Sequence, residues 1–71
     1  MEEYEILYAD INYINKKVII ISWGVIGIGF GELVISNETF EIIDSEGMSN
    51  KFCKAIIEQS AVSSEIIEYR E

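Results

Sequence analysis

The stretch Val18–Ser36, VIIISWGVIGIGFGELVIS, decides the fold of this chain. It opens with a run of β-branched residues, and it contains the only Trp and four of the five glycines. β-Branched residues favour extended strands, whereas closely spaced glycines allow the backbone to bend. The stretch therefore predicts two buried strands joined by a glycine-rich bend.

The first of these strands, Val18–Trp23, carries apolar side chains on both of its faces. Such a pattern is typical of a central strand that is covered on both sides. We expect Gly24 to end the strand and Val25–Gly27 to form the bend. A helix should cover one face of the strand, and a partner molecule should cover the other.

The second strand is predicted over Ile28–Ser36. It places Gly29 and Gly31 on one face and larger side chains on the other. Alternate glycines leave a strip without side chains, which another backbone, an aromatic ring or a ligand can approach closely. We expect this glycine strip to lie on the sheet face that the helix leaves uncovered.

Weaker patterns flank this stretch on both sides. Alternation and aromatic residues indicate a first strand over Glu5–Ile14, with Ile6 and Tyr8 on the same face and a short helix as the alternative. Polar residues after Ser36 indicate a hairpin turn, and a further strand is predicted over Thr39–Asp44. Phe40 and Ile42 should share a face of that strand. The C-terminal segment Glu65–Tyr69 suits either an edge strand or a short helix.

An amphipathic helix is predicted over Ser49–Ser60 and should end near Val62, with Ser45 or Ser49 as its N-cap. A hydroxyl oxygen at the N-cap accepts hydrogen bonds from free N–H groups of the first turn. The apolar stripe that should pack on the sheet is formed by Phe52, Ile56 and Ile57. The element order is then β-β-β-β-α, so we predict one α+β domain over residues 1–71, with an antiparallel sheet and one packed helix.

Charge and composition exclude several classes of function. The net charge of −8 disfavours nucleic acids and anionic membranes as partners, because both require clustered cations. The sequence has no His, so it offers neither the Ser-His nor the Cys-His pair of nucleophilic enzymes. Cys53 falls on the apolar side of the helix, where we expect a buried, inert thiol. We predict that the protein is not an enzyme and needs no cofactor.

The N-terminal residues MEEYE are acidic, whereas a signal peptide would be basic there. A single Cys fits a reducing compartment, and no run of residues is apolar and long enough for a membrane span. We therefore expect a cytoplasmic protein without membrane contact.

Two sets of residues invite comparison with ligand sites. Gly27, Gly29 and Gly31 could present backbone N–H groups to phosphates, and Lys51 and Lys54 near the helix N-terminus could add positive charge. The spacing differs from that of a phosphate loop, because these glycines lead into a strand rather than a helix. A bend followed by a close-packed strand is the favoured interpretation.

The second set is acidic and could hold a hard cation; it comprises Glu32, Glu41, Asp44 and Glu46. Glu41 and Asp44 fall on opposite faces of the predicted strand, so a solvated acidic face is favoured over a metal site. Trp23 is expected in the core or at an interface, where its large apolar surface is best used.

A group of residues around the central strands resembles a known group of proteins. It consists of Trp23, Gly27–Glu32 (GIGFGE), Ile43–Glu46 (IDSE), Met48, Ser49 and Phe52. The pattern is similar to small acidic proteins of bacteriophages and prophages of low-GC Gram-positive bacteria, and the similarity covers Val18–Ile57. The resemblance implies no catalytic residue. It implies a setting in which such proteins act against the defences of the host.

Three functions follow as hypotheses. The first is an inhibitor that occupies a basic surface of a host defence protein, with Trp23, Glu32 and the glycine strip among its contact residues. The second is an oligomeric sponge for a cyclic nucleotide signal, with N–H groups of Gly27–Gly31 and the Lys51/Lys54 pair meeting the phosphates. The third is a structural or assembly protein of a phage.

We also predict a homodimer. The chain offers only one substantial helix to cover a sheet whose central strand is apolar on both faces. An uncovered apolar face of that kind marks an interaction site. A second copy of the same chain, related by a two-fold axis, is the simplest way to cover it.

Overall fold

The computed structural model describes the backbone of residues 4–70 and the side chains of residues 4–61. These residues form four strands and one helix, namely β1 (Ile6–Ile14), β2 (Val18–Val25), β3 (Gly29–Ser36), β4 (Ile42–Asp44) and α1 (Asn50–Arg70). The strands make one antiparallel sheet in the order β1-β2-β3-β4, so each strand pairs with its neighbour along the chain. The predicted α+β fold with the element order β-β-β-β-α is confirmed.

Strand β2 is the central strand that its apolar pattern predicts. Alternate side chains are buried beneath α1, and they belong to Ile19, Ile21, Trp23 and Val25. The opposite face of the strand is half-buried at Val18, Ile20 and Ser22. We call the sheet face beneath α1 the helix face and the opposite one the open face.

The prediction that Gly24 ends β2 is wrong. The strand continues to Val25, and Gly24 pairs with Tyr8 on one side and Phe30 on the other. A β-carbon at Gly24 would lie 2.5 Å from Cε2 of Tyr8. The glycine therefore makes room for an aromatic ring instead of bending the chain, and the turn falls at residues 26–28.

Strand β1 contains two irregularities that the sequence pattern does not show. Its register with β2 shifts between Ile6 and Tyr8 and again between Ile11 and Tyr13. Each extra residue reverses the face to which the following side chains point. Ile6 consequently packs against the core, while Tyr8 lies on the open face, so the prediction that these two share a face is wrong.

Strand β4 is shorter than predicted, because Phe40 belongs to the preceding turn. The N–H of Phe40 donates to the carbonyl of Ser36 at 2.8 Å, and the φ of Phe40 is 63°. The hydroxyl oxygen of Ser36 also accepts the N–H groups of Glu38 and Thr39, both at 3.1 Å. These bonds close a tight turn, so Phe40 and Ile42 do not share a strand face.

Helix α1 begins where the Ser49 alternative places it. The N–H of Phe52 donates to the hydroxyl oxygen of Ser49 at 3.1 Å, which makes Ser49 the N-cap. Ser45 instead donates its hydroxyl to the carbonyl of Met48 at 3.2 Å. The helix does not end near Val62 but continues to Arg70, since no Gly or Pro interrupts the sequence there.

The core lies between α1 and the helix face. Phe52 is 2% exposed and Ile56 is 0% exposed, and Ile57 is partly buried against the same core. The predicted apolar stripe of the helix therefore packs on the sheet. The ring of Phe52 meets that of Trp23 edge-to-face at 4.8 Å. A second such contact joins Phe52 to Tyr4 at 5.1 Å. This packing fixes one side of the sheet and leaves the open face without a covering element among the described residues.

Candidate functional site

The glycine strip lies on the helix face and not on the open face, which corrects the expectation from the sequence. Strand β3 pairs Gly31 with Trp23 and Gly29 with Val25, and both of these partners are buried on the helix face. Leu33 shares this face and is 2% exposed. The strip therefore lies on the helix face, where Gly31 is packed and Gly29 is exposed beside the turn.

Trp23 and Gly31 serve packing and are not available to a ligand. A β-carbon at Gly31 would lie 2.8 Å from Cζ2 of Trp23, so the indole lies directly over the glycine. Trp23 is 4% exposed. An aromatic ring that covers a cross-strand glycine restores the apolar contact that the missing side chain cannot make.

Gly27 shapes the β2–β3 turn. The N–H of Ile28 donates to the carbonyl of Val25 at 3.1 Å, and Gly27 has a φ of 87°. A type II turn has a positive φ only at its third residue, and glycine is favoured at that position. Gly29 follows with a φ of 123°, and neither of these two glycines has a heavy atom within 4 Å of where a β-carbon would stand.

The backbone near Gly31 is already occupied by a carboxylate. Oε1 of Glu46 accepts the N–H of Glu32 at 3.3 Å and would lie 2.6 Å from a β-carbon on Gly31. Lys51 and Lys54 lie on the exposed side of α1 near its N-terminus. A negative group beside the amides that a phosphate would need opposes the nucleotide hypothesis, because the two anions would repel each other.

The four acidic residues that the sequence suggests as a cation site make separate contacts in the structure. Glu46 caps the edge of β3, and Oδ1 of Asp44 accepts the N–H of Glu46 at 3.0 Å in the turn before the helix. Glu41 is exposed and its carbonyl pairs with the N–H of Ser36. Within the described part of the chain, no group of three or more Cys, Asp or Glu side chains is placed to hold a metal ion.

Apart from Glu32, which the sequence analysis names as a candidate contact residue, the open face presents residues that the sequence patterns did not single out. The register of the sheet arranges them in rows that run across β1, β2 and β3. We define an aromatic row, Tyr8–Gly24–Phe30, and an acidic row, Asp10–Ser22–Glu32. A third row, the apolar row, is Tyr13–Ile20–Val34. The acidic row lies between the other two.

The rows expose large apolar side chains beside carboxylates. Phe30 is 83% exposed, Tyr13 is 52% exposed and Tyr8 is 42% exposed. Asp10 and Glu32 are both exposed, and Nδ2 of Asn12 donates to Oε2 of Glu32 at 3.4 Å. An apolar surface with charges at its centre is suited to a partner that is itself both apolar and charged.

Cys53 offers no chemistry to this face. It belongs to α1 on the opposite side of the sheet and is 1% exposed. Burial raises the pKa of its thiol above the ordinary value, although a hydrogen bond with Ser45 acts in the opposite direction. Since the thiolate is the reactive form, the thiol is a poor nucleophile.

Comparison with known proteins does not assign the chain to a family. No family model, no curated protein and no solved structure matches the chain. In the described residues, no helix has the length and apolar character needed to cross a membrane.

Proposed function

We propose that this protein is a non-enzymatic inhibitor whose open face occupies a basic surface of another protein. The observation that carries the proposal is the acidic row at the centre of an uncovered apolar sheet face. The resemblance to phage proteins suggests a defence protein of the bacterial host as the partner. Covering a functional basic surface of that protein would be enough to inhibit it.

Long-range charge would bring the partners together. A net charge of −8 on 71 residues attracts a basic surface over several ångströms, and such steering raises association rates. At contact, the exposed rings of Phe30 and Tyr13 would leave water, and buried aromatic anchors carry much of the binding energy in protein interfaces. Charge and exposed apolar area therefore both support the open face as the binding surface.

The same face is less suited to a second copy of this chain. A two-fold dimer through the open face would bring Asp10 and Glu32 of both copies into one interface, and like charges there repel. The homodimer stays a prediction, and light scattering tests it. If it forms through this face, it should strengthen as salt is added, because salt screens that repulsion. A complex with a basic protein should weaken under the same change.

Site-specific photo-crosslinking in a bacterial lysate tests the proposal. Benzoylphenylalanine would replace Phe30 on the open face, and in a matched control it would replace Phe40, which is 60% exposed in the β3–β4 turn. We expect a basic protein to be captured at position 30 and not at position 40. Equal capture at both positions, or capture of acidic proteins alone, would overturn the proposal.

A further inference from the structure

The open face has the chemistry to receive one kind of side chain in particular. We propose that it binds an arginine of a partner protein, with the guanidinium lying between the aromatic row and the acidic row. This inference rests on the proposed function, since it names the group on the basic surface that the open face recognises. It adds a prediction that net charge alone does not make, namely that arginine is preferred to lysine.

The two rows are adjacent on the open face, and the ring of Tyr8 covers the backbone of the central strand in the aromatic row. The central strand contributes only Gly24 to the aromatic row and Ser22 to the acidic row. Successive rows on one face are about 7 Å apart, and neighbouring strands are about 4.8 Å apart. A planar group that stacks on the ring of Tyr8 above Gly24 can therefore reach a carboxylate in the next row.

The aromatic row supplies ring surface on both sides of Gly24. The ring of Tyr8 lies over Gly24. It is so close that a β-carbon at position 24 would clash with it. Phe30 stands 83% exposed on the other side. Cations are attracted to the faces of aromatic rings, and arginine also stacks on them because its guanidinium is planar.

The acidic row supplies carboxylates that no described cation neutralises. Nδ2 of Asn12 lies 3.4 Å from Oε2 of Glu32, and among the described side chains neither Asp10 nor Glu32 forms an ion pair. A carboxylate accepts two parallel hydrogen bonds from a guanidinium, whereas an ammonium group cannot offer that paired geometry. Ring and carboxylate together thus favour arginine over lysine.

An amide chemical-shift titration of the isotope-labelled protein tests this inference. The probes are a short capped peptide of alternating glycine and arginine and the same peptide with lysine in place of arginine. We expect both peptides to shift the amides of the aromatic and acidic rows, with the arginine peptide binding about fivefold more tightly. Phe30→Ser should remove most of this preference, whereas the matched control Phe40→Ser should keep it.

The outcomes separate the inference from the proposed function. Equal affinity of the two peptides for the open face would overturn the arginine inference and leave a basic partner supported. Shifts that avoid the open face with both peptides would overturn the basic partner as well. Retention of the arginine preference in Phe30→Ser would contradict the role assigned to the aromatic row.

Discussion

Trp23 and Gly31 are direct cross-strand partners on the helix face, and the indole of Trp23 occupies the space that a side chain at position 31 would need. Phe52 from α1 packs edge-to-face on the same indole at 4.8 Å. The ring is therefore held between strand β3 and the first turn of the helix. Gly31, which the sequence suggests as a ligand-binding residue, is therefore needed for the packing of the core.

Replacing Gly31 by Ala should destabilise the protein by roughly 1–3 kcal/mol, the usual cost of forcing extra atoms into a packed core. The new β-carbon would lie 2.6 Å from Oε1 of the exposed Glu46, which can move, and 2.8 Å from the indole of Trp23, which is buried against Phe52. Urea unfolding measures the effect. The matched control is Gly24→Ala, where the ring of Tyr8 is 42% exposed and can swing away. Equal stability losses in the two variants would contradict the packing role of Gly31.

Replacing Ile56 by Ala should cost about 2–5 kcal/mol, because the side chain is lost from a site that cannot collapse fully. Ile56 is 0% exposed at the centre of the contact between α1 and the sheet. Domains of this size are marginally stable, so the variant should be largely unfolded at room temperature. Thermal unfolding followed by circular dichroism measures this, with the exposed Lys54→Ala as a control. An unchanged melting temperature for Ile56→Ala would mean that the helix packs elsewhere.

Replacing Phe40 by Gly should stabilise the protein by about 1 kcal/mol, because a left-handed backbone is costly for residues with a β-carbon. The φ of Phe40 is 63° and its ring is 60% exposed, so little buried area is lost. Phe40→Val should have the opposite effect, since branching at the β-carbon makes this conformation worse. Chemical denaturation of the three proteins gives the order. Destabilisation by Phe40→Gly would show that the ring contributes more than the strain costs.

Cys53 should react slowly with alkylating reagents while the protein is folded. It is 1% exposed, and burial raises the pKa of its thiol, so both access and the thiolate fraction are reduced. The labelling rate at mildly alkaline pH should rise steeply once urea unfolds the chain. Mass spectrometry follows the reaction. Native labelling as fast as that of an unfolded peptide would contradict the position of α1 on the sheet.

The central strand and the helix were predictable from the sequence because their patterns are local. Alternation of large apolar residues places Ile19, Ile21 and Trp23 on one face, and the helical spacing places Phe52 and Ile56 on another. Few other arrangements bury so many apolar side chains in a chain of this length. The fold class follows from these two elements and from their order.

The open face could not be predicted, because it depends on pairing between strands. One extra residue near Leu7 moves Tyr8 to the face opposite Ile6, and no local pattern reveals that shift. Likewise, the role of Gly24 and Gly31 depends on which aromatic side chain lies opposite each of them. The sequence therefore suggests the glycine strip as the candidate site, whereas the structure points to the rows on the open face.

The most direct test of a basic partner on the open face is a comparison of two doubly neutralised variants. Binding of the protein captured through position 30 would be measured by calorimetry for the unmodified chain, for Asp10→Asn with Glu32→Gln, and for Glu38→Gln with Glu41→Gln. Both pairs change the net charge equally, but only the first removes the carboxylates of the acidic row. We expect the first pair to weaken binding about tenfold or more and the second to have little effect. Equal losses, or no loss in the first pair, would contradict recognition through the open face.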